Sequence, residues 1–382
     1  MHMRKQFFVL VFLLFALSGN AQTLTWVDSM DNYAREAYLP AKQYQWTWQN
    51  AALLKVMVNE YETATPERKS IYFDYIKRAM DKNKGVANGR KPNNVASGLG
   101  MAFLYRVTKD EKYKKICDKI FNDYMKTPRT KDGAVSHIPL FKELWDDTVF
   151  MIGEFLLEMY RATGDEKYID ELAKQMSLHR DKLQVNEWGL WVHGWDQSDW
   201  GHCMFCSQIH WSDKQTHRSP EIWGRGNGWI VVTLSDALSV IPKSNAHYMQ
   251  FSGYLKEMVV HLPELQDTKS GHWYQLPVRK GEAGNYIESS CTAMFAYGIQ
   301  HALALGIVDG ERYQTSVSKA FYGLRQHSIT SVREGYLTSS NVCKATCIGN
   351  KSYYFKRGTQ KGKAYGLASF IQFGRRFERT KH

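Results

Sequence analysis

Apolar residues recur at helical spacing through most of the chain. From Val149 the apolar stripe continues through Ile152 and Leu156 to Tyr160, which is the spacing of a helix that buries one face in a core. The same spacing predicts helices over 50–62, 97–107, 148–162, 229–241, 289–305 and 363–375. Strand-like alternation is short and scattered, as in 271–276. The pattern predicts an all-α fold.

A weak internal repeat supports this prediction. The segment LYRVTKDEKY at 104–113 returns as MYRATGDEKY at 159–168, an offset of 55 residues. Each copy contains the end of an apolar helix, a short polar turn and the start of another helix. A helical hairpin that recurs at this length is typical of repeated α-architectures, either stacked as a solenoid or closed into a ring. No Pro- or Ser-rich linker divides 22–382, so we expect a single domain.

The first 21 residues have the features of a secretory signal peptide. A basic start is followed by an apolar run over 7–17 and by small residues at 18–21. The apolar run is too short to span a bilayer as a mature helix. We therefore expect export, with the periplasm as the destination and extracellular release as the alternative, and no membrane association after cleavage. The competing interpretation is a buried N-terminal helix.

Composition and charge narrow the choice of partner. The chain is 43% hydrophobic and 14% aromatic, with 12 tryptophans and 22 tyrosines. Aromatic rings fill cores, and their faces also stack on sugar rings. The formal net charge of +12 indicates an anionic partner. Because the basic residues are spread out and export is expected, an acidic small substrate fits better than nucleic acid.

Six cysteines lie at 117, 203, 206, 291, 343 and 347. Cys203 and Cys206, with His202 and His210 nearby, form the one spacing that suggests a metal site. A second Cys/His pair at such spacing is missing from the sequence, so we predict no metal and no other cofactor. A local disulfide and free thiols remain open for Cys203 and Cys206. The pairing of Cys343 and Cys347 is open as well.

The segment WDDTVF at 145–150 puts two carboxylates at the start of a predicted helix. Aspartate is a favoured N-cap, and an acidic first turn suits the helix dipole, so capping is the simpler interpretation. Adjacent residues of a helix do not face each other, so Asp146 and Asp147 are not a catalytic pair by themselves. One can cap the helix while the other points into a cavity.

Two Gly- and Trp-rich segments are the other candidates for chemistry. In WGLWVHGWD at 188–196, His193 either has a structural role or grips a polar ligand on an apolar platform. PEIWGRGNGW at 220–229 matches neither G-x-G-x-x-G nor a P-loop. Its glycines let the backbone approach a ligand, and the Arg225 guanidinium suits a carboxylate. The alternative is a tight helix-entry turn with Arg225 in a structural ion pair.

Several motifs in a fixed order carry a family resemblance. They are 145–151, 189–196, 223–229, 271–275, 284–290 and 293–297. From Trp48 to Phe370 the chain resembles family 105 of the glycoside hydrolases, the unsaturated rhamnogalacturonyl and related unsaturated glucuronyl hydrolases. The resemblance implies one (α/α)6 barrel over 22–382, six helical hairpins in a closed toroid. It also implies removal of a Δ4,5-unsaturated uronic acid from the non-reducing end of oligosaccharides made by a polysaccharide lyase.

The resemblance also implies a mechanism and a set of site residues. In this family an acid protonates C4 of the enol ether, water adds at C5, and the resulting hemiketal opens. The family's catalytic aspartate matches Asp147, as general acid and then base, which leaves Asp146 as a neighbouring cap. Arg225 is the candidate partner of the uronate carboxylate. The implied substrate-binding residues are Trp48, Asn93, His193, Trp195, Trp223, Arg225, Asn227 and Trp229.

One departure from the family pattern concerns a second aspartate, where this chain has Asn93 and Asn94. An amide can orient a hydroxyl but cannot carry a proton at neutral pH, so Asn93 keeps a positioning role or the substrate subtype differs. The interval between His193 and Arg225 is a second departure, an insertion that shapes the outer pocket. Two alternative functions remain: an α/α-toroid polysaccharide lyase and a non-catalytic sugar-binding relative. We expect a monomer or a weak homodimer.

Overall fold

The computed structural model describes residues 24–39, 44–138, 140–185, 187–198 and 210–380. The signal peptide predicted over 1–21 lies outside these ranges and stays a prediction, and so do the interpretations of His202, Cys203 and Cys206. The described α-helices are α1 (Trp26–Ala37), α2 (Trp48–Thr63), α3 (Pro66–Asn83), α4 (Pro92–Val95), α5 (Gly98–Thr108), α6 (Glu111–Met125), α7 (Thr148–Thr163), α8 (Lys167–Leu183), α9 (Gly224–Val240), α10 (Tyr248–Val259), α11 (Leu262–Leu265), α12 (Ser289–Ala304), α13 (Glu311–His327), α14 (Lys351–Phe355) and α15 (Ala364–Arg379). The described strands are β1 (Glu143–Trp145), β2 (Gly194–Asp196), β3 (Trp273–Tyr274), β4 (Ile287–Glu288), β5 (Ile329–Arg333), β6 (Tyr336–Ser339), β7 (Val342–Cys343) and β8 (Thr359–Gln360). The prediction of a mostly helical fold is confirmed.

Six helices, α2, α5, α7, α9, α12 and α15, form an inner set. Each packs against the next in chain order, and α15 packs against α2. Each inner helix also packs against one outer helix: α3, α6, α8, α10, α13 and, for α15, α1. The six segments predicted from apolar spacing are the six inner helices, although α9 begins at Gly224, five residues before the prediction, and α15 continues to Arg379.

Inner and outer helices differ in how much of their surface is buried. In α12 every residue from Ser289 to Ala302 is buried. In α13 the buried residues recur at three- and four-residue spacing, from Tyr313 through Val317 and Ala320 to Leu324. A helix that is apolar on all sides belongs in an interior, and a helix with one apolar stripe covers it from outside. The sequence pattern therefore separates the two layers.

The internal repeat corresponds to two equivalent hairpin corners, α5 to α6 and α7 to α8. Lys109 (φ 54°) and Gly164 (φ 71°) each end an inner helix in the left-handed conformation, with the N–H bonded to the carbonyl four residues earlier. Asp110 and Asp165 then accept the backbone N–H two residues later, at 3.0 and 3.1 Å, and so begin the outer helices. The residues that the two segments share therefore specify the same hairpin corner.

Short two-stranded sheets join the connections that lead into the inner helices. β1, just before α7, pairs antiparallel with β2, and Trp145 lies opposite Gly194. β4 pairs with β3 and runs directly into α12, and β8 pairs with β7 shortly before α15. Of the predicted alternation over 271–276, only Trp273–Tyr274 is a strand. These pairings hold the N-terminal ends of the inner helices together, and the candidate site lies there. Within the described ranges, no helix combines the length and apolar character needed to cross a membrane.

Candidate active site

Asp146 and Asp147 lie in the short link between β1 and α7. The Asp146 backbone N–H donates to the His193 carbonyl (3.0 Å), which ties this link to β2. Asp147 occupies the N-cap position of α7, but its side chain makes no capping hydrogen bond, and both Asp146 carboxylate oxygens are buried without a hydrogen-bond partner. The capping interpretation is therefore wrong for both residues. The first turn of α7 leaves two carboxyl groups available for other chemistry.

The two carboxyl groups differ in exposure and in charge. The Asp146 side chain is fully buried, whereas that of Asp147 is 13% exposed. Burial, reinforced by the charge of Asp147, raises the pKa of Asp146 well above its usual range. Burial also raises the pKa of Asp147 to about 7, against the opposing effects of its own backbone amide and the Arg225 charge. Near neutral pH Asp147 can therefore both give and take a proton, while Asp146 stays protonated.

His137 borders Asp147. Its Nδ1 lies 2.9 Å from Thr148 Oγ1 and 3.8 Å from Asp147 Oδ1, and its ring stacks on Trp145 at 4.5 Å. On the other side, Asn93 Nδ2 lies 3.3 Å from His137 Nε2. Burial, with the Lys91 charge, lowers the pKa of His137 to about 3, so the ring is neutral. With the Asn93 amide as donor to Nε2, the imidazole proton is on Nδ1, on the side of Thr148 and Asp147.

His193 is the neighbour of Asp146. Its Nε2 lies 3.8 Å from Asp146 Oδ1, and its Nδ1 lies 2.6 Å from the Tyr354 hydroxyl. The ring packs against Trp223 at 4.5 Å, and the whole residue is buried. Burial, with the charges of neighbouring basic residues, lowers the pKa of His193 well below its usual value. His193 is thus a neutral wall of the Asp146 pocket.

The glycines of PEIWGRGNGW serve this pocket. A Cβ atom on Gly226 would lie 2.0 Å from Asp146 Oδ2, far inside contact distance. Residues 224–228 form the first turn and a half of α9, and the Gly226 position presses directly on the carboxyl group. The segment is therefore a helix start that gives space to Asp146.

Arg225 is fully buried and its guanidinium is held by the protein. Nη1 donates to the Cys343 carbonyl (2.8 Å) and Nη2 to the Lys344 carbonyl (2.9 Å). Glu288 Oε1 lies 3.7 Å from Nη1, and the Trp223 and Tyr365 rings flank the group at 4.6 and 4.7 Å. The fork expected to face a uronate carboxylate faces two backbone carbonyls, as in the structural alternative. Direct contact between Arg225 and a substrate stays a prediction.

Asn227 and Trp229 have structural contacts. The Asn227 amide accepts from the Trp191 N–H and donates to the Trp191 carbonyl, both at 2.8 Å, and so ties α9 to the loop before His193. Trp229 is 3% exposed and packs on Phe150 at 4.2 Å. Both side chains therefore support the site through contacts with other protein residues. Their predicted contact with a substrate has no support in this geometry.

Three tryptophans of the predicted set lie around the same end. Trp223 is buried against His193, and its Nε1 has no hydrogen-bond partner. Trp195 is half-buried in β2, with the Lys182 Nζ 4.9 Å from its ring. Trp48 begins α2 and packs on Tyr365 at 5.1 Å. The structure thus brings Asn93, His193 and Trp223 close to the acid pair, whereas Trp48 contacts the same end through Tyr365.

Two residues of the site, His137 and Tyr354, are not among those predicted from the sequence. His137 lies ten residues before Asp147 in a segment without periodicity, where proximity to the acid motif is the only signal. Tyr354 is 161 residues from His193, and no local pattern links them.

Asp146, Asp147 and His193 offer oxygen and nitrogen atoms within 4.8 Å of one another, a spacing that could hold a metal ion. A cation there would have to displace the proton that burial keeps on Asp146. Among the described cysteines, Cys117, Cys291 and Cys343 are free and Cys347 is disulfide-bonded, so Cys343 and Cys347 are not paired with each other.

Comparison with known proteins gives relatives that span most of the chain. The family model described as Glycosyl Hydrolase Family 88 matches residues 24–381. The unsaturated rhamnogalacturonyl hydrolase YesR of Bacillus subtilis (strain 168) is 27% identical over 335 residues, which is 85% of this chain and 88% of that protein.

Solved structures share the fold. A glycoside hydrolase from family 105 of C. acetobutylicum ATCC 824 superposes with a TM-score of 0.80 at 24% identity, covering 93% of this chain and 100% of that one. A structure titled polysaccharide lyase BACCELL_00875 superposes with a TM-score of 0.67 at 17% identity, covering 94% and 99%. At these identities the likeness shows the fold alone, and the lyase match shows that this fold hosts more than one chemistry.

Proposed function

The chain belongs to glycosyl hydrolase family 88, and on that premise we propose that it removes a Δ4,5-unsaturated uronic acid from the non-reducing end of lyase-generated oligosaccharides. The family model and the likeness to the unsaturated rhamnogalacturonyl hydrolase YesR support the resemblance noted in the sequence. The chain is a glycoside hydrolase. The reaction at its site is a hydration of the C4=C5 enol ether.

The observation that carries this proposal is the pair of buried carboxyl groups at the start of α7, whose oxygens lack capping hydrogen bonds and whose pKa values burial raises, that of Asp147 to about 7. In the proposed reaction the Asp147 carboxyl group donates its proton to C4, which leaves positive charge at C5 and the ring oxygen. The Asp147 carboxylate then takes a proton from the water that adds to C5. The hemiketal opens and releases the sugar that follows. A pKa near the working pH suits one group that acts first as acid and then as base.

The neighbours of Asp147 keep its carboxyl group in this state. His137 is neutral, because its pKa is lowered to about 3, and so places no positive charge beside Asp147. The raised pKa of Asp146 favours its neutral form, which places no negative charge there. Arg225, although bound to carbonyls, contributes a positive charge that prevents a further rise of the pKa. Asn93 holds the His137 ring through Nε2. Its predicted contact with a substrate hydroxyl stays a prediction.

The acidic substrate is supported by a basic groove at the same end of the inner helices. The groove has a volume of about 550 Å3 and is bordered by Lys344, Arg357 and Lys363, and the described part of its lining contains no carboxylate. Tyr365 lies between this groove and Arg225, and Trp48 packs on Tyr365. We assign the groove to the sugars that follow the unsaturated residue.

The finer architecture belongs to the same proposal. The cycle of contacts from α2 through α15 and back to α2, with one outer helix for each inner helix, supports a closed (α/α)6 barrel. In such a toroid the connections at one end line a central cleft. Asp147, Arg225 and Glu288 all lie at helix starts, which supports a cleft at that end.

The test is a panel of lyase-digested pectin, ulvan, arabinogalactan and glycosaminoglycan oligosaccharides, in which the unsaturated chromophore is followed. Loss of the chromophore with the wild type, and none with Asp147→Asn, is expected. In deuterated water the product must carry deuterium at C4, because the proton on that carbon comes through Asp147. A rise of the chromophore on undigested polysaccharide would instead identify a lyase. A folded wild type that leaves every substrate of the panel unchanged would refute the proposal.

A further inference from the structure

A second polar cavity, of about 430 Å3, lies inside the set of inner helices and away from Asp147. All six inner helices line it, five of them from their C-terminal halves, whereas Asp147 precedes the N-terminus of α7. Thr63, Arg379 and Thr380 border it and are exposed. The cavity is therefore separate from the acid pair and opens at the opposite end of the helices.

Most charges in the wall of this axial cavity are already paired. The pairs are Glu60 with Arg375 (3.1 Å), Glu62 with Arg161 (3.2 Å), Glu158 with Arg161 (3.0 Å) and Asp236 with Lys55 (2.6 Å). Each of these carboxylates faces a cation of the protein. The pairs account for the carboxylates of the wall apart from Glu154.

Arg376, Gln372 and His301 are different, because each has one buried polar atom without a hydrogen-bond partner. Among the described residues, Arg376 Nε, Gln372 Nε2 and His301 Nε2 are buried with no hydrogen bond, and His301 is only 4% exposed. The Tyr297 ring joins the cluster, 4.4 Å from the His301 ring and 5.9 Å from Arg376 Cζ. Burial lowers the pKa of Arg376, against the opposing charges of Tyr297 and Asp236.

The cluster presents donors and acceptors together. Ser239 Oγ donates to the Ser235 carbonyl (2.9 Å) and therefore accepts from His301 Nδ1 (3.4 Å), which leaves His301 Nε2 as an acceptor. Glu154 Oε1 is also buried without a partner, and burial raises the pKa of Glu154 to about 8. A carboxylate can accept from Arg376, and a hydroxyl on the same molecule can donate to His301.

We propose that the axial cavity binds a small hydroxycarboxylate, with its carboxylate on Arg376 and Gln372 and a hydroxyl on His301. The volume lies within the range of small-molecule pockets, roughly 300–1,000 Å3, and suits an acid of monosaccharide size. Such a ligand would place a counterion beside Arg376 and satisfy polar atoms that are otherwise buried without partners. The site is independent of the reaction at Asp147.

The experiment is calorimetric titration with D-galacturonate. D-Galactose, which lacks the carboxylate, acetate, which lacks the hydroxyl, and inorganic sulfate, an anion that lacks both, are the comparison probes. The wild type should bind galacturonate at least about tenfold more tightly than the other three. Arg376→Gln should weaken binding about tenfold or more, and Arg325→Gln, a matched change at an exposed arginine outside the cavity, should not.

His301→Phe is the second variant, because it keeps a ring on Tyr297 and removes the acceptor. It should weaken galacturonate binding and leave the weak acetate binding unchanged. This variant tests the site even if Arg376→Gln does not fold. Failure of the wild type to bind galacturonate would overturn the proposal. Binding that survives in both variants would do the same by locating the ligand elsewhere, and equal affinity for sulfate or acetate would reduce the cavity to a simple anion site.

Discussion

Gly226 and Asp146 are 80 positions apart in the chain, yet a side chain on the first would strike the carboxyl group of the second at 2.0 Å. The first turn of α9 and the link before α7 are thus fitted to each other. This fit contributes to the burial of Asp146, which raises the pKa of its carboxyl group.

Gly226→Ala should therefore disrupt the acid pair. The added methyl group must displace Asp146 or shift α9, which costs about 1–3 kcal/mol of unfolding free energy and most of the activity. The measurements are thermal unfolding and turnover of an unsaturated oligosaccharide. Gly253→Ala is the matched control, because Gly253 is an exposed helical glycine with nothing within 4 Å of its would-be Cβ. That variant should keep full activity and gain a few tenths of a kcal/mol or more. Equal behaviour of the two variants would disprove the fit.

Asp147→Asn and Asp146→Asn should have unequal effects. An amide at 147 cannot transfer a proton, so turnover should fall by about 10²–10⁴-fold with the fold intact. Asp146 is already neutral, and an amide of the same shape should preserve the fold and retain turnover well above that of Asp147→Asn. The measurements are the turnover number and the circular dichroism spectrum of each variant. A larger loss of turnover in Asp146→Asn than in Asp147→Asn would identify Asp146 as the proton donor.

The pKa of Asp147 predicts the pH dependence of both activity and stability. Because the protonated form starts the reaction, the rate should fall as pH rises through about 7. The folded-state pKa lies above the ordinary value of 3.8, so the contribution of Asp147 to stability is greatest below pH 4. It is lost as pH rises towards 7, by up to ~4 kcal/mol.

Asp147→Asn removes this titration. The gain in melting temperature of the variant over the wild type should grow between pH 5 and pH 8, conditions chosen around the pKa of about 7. A difference that stays constant over this interval would mean that Asp147 is not protonated by burial.

Asn93→Asp should move the pH profile. A carboxylate beside His137 Nε2 would favour the imidazolium form, and the new positive charge would lie 3.8 Å from Asp147 Oδ1 and lower the pKa of that carboxyl group. The alkaline fall of kcat/KM should therefore shift to lower pH. Asn94→Asp is the control, because the Asn94 amide bonds to Asn88 and not to His137. Profiles that coincide for the two variants would show that His137 does not influence the pKa of Asp147.

Arg225→Lys separates a structural role from substrate contact. A lysine cannot donate to the carbonyls of Cys343 and Lys344 in the same fork geometry, so the unfolding free energy should fall by about 2–4 kcal/mol. Arg312→Lys, at an exposed position on α13, should change it by less than about 0.5 kcal/mol. A large rise of KM in Arg225→Lys without loss of stability would restore the sequence-based role as carboxylate binder.

The inner helices could be predicted from the sequence because of where they lie. A helix such as α12, buried on all sides, has an apolar pattern that nothing on the surface interrupts, whereas α13 mixes one apolar stripe with charged residues. The start of α9 was placed too late because its first turn, Gly224 to Gly228, has poor intrinsic helix propensity and is helical through its packing. The catalytic role of Asp147 was predicted from a motif and stays a prediction.

The rest of the site depends on pairs that no local pattern links. Asp146 has the composition of a helix cap, and only Gly226 and His193 make its position a buried pocket. Arg225 has the composition of an anion binder, but its partners are carbonyls 118 and 119 residues later, and carbonyls leave no mark in a sequence.

The acid pair depends on α15, a helix at the C-terminal end of the described chain, which packs against α2. α15 is the last inner helix to leave the ribosome, and its Tyr365 is one wall of Arg225, whose charge tunes Asp147. Without α15 the inner helices α2 and α12 lose their contacts with it, and Arg225 loses the Tyr365 ring on one side. A chain truncated before α15 is therefore expected to be inert.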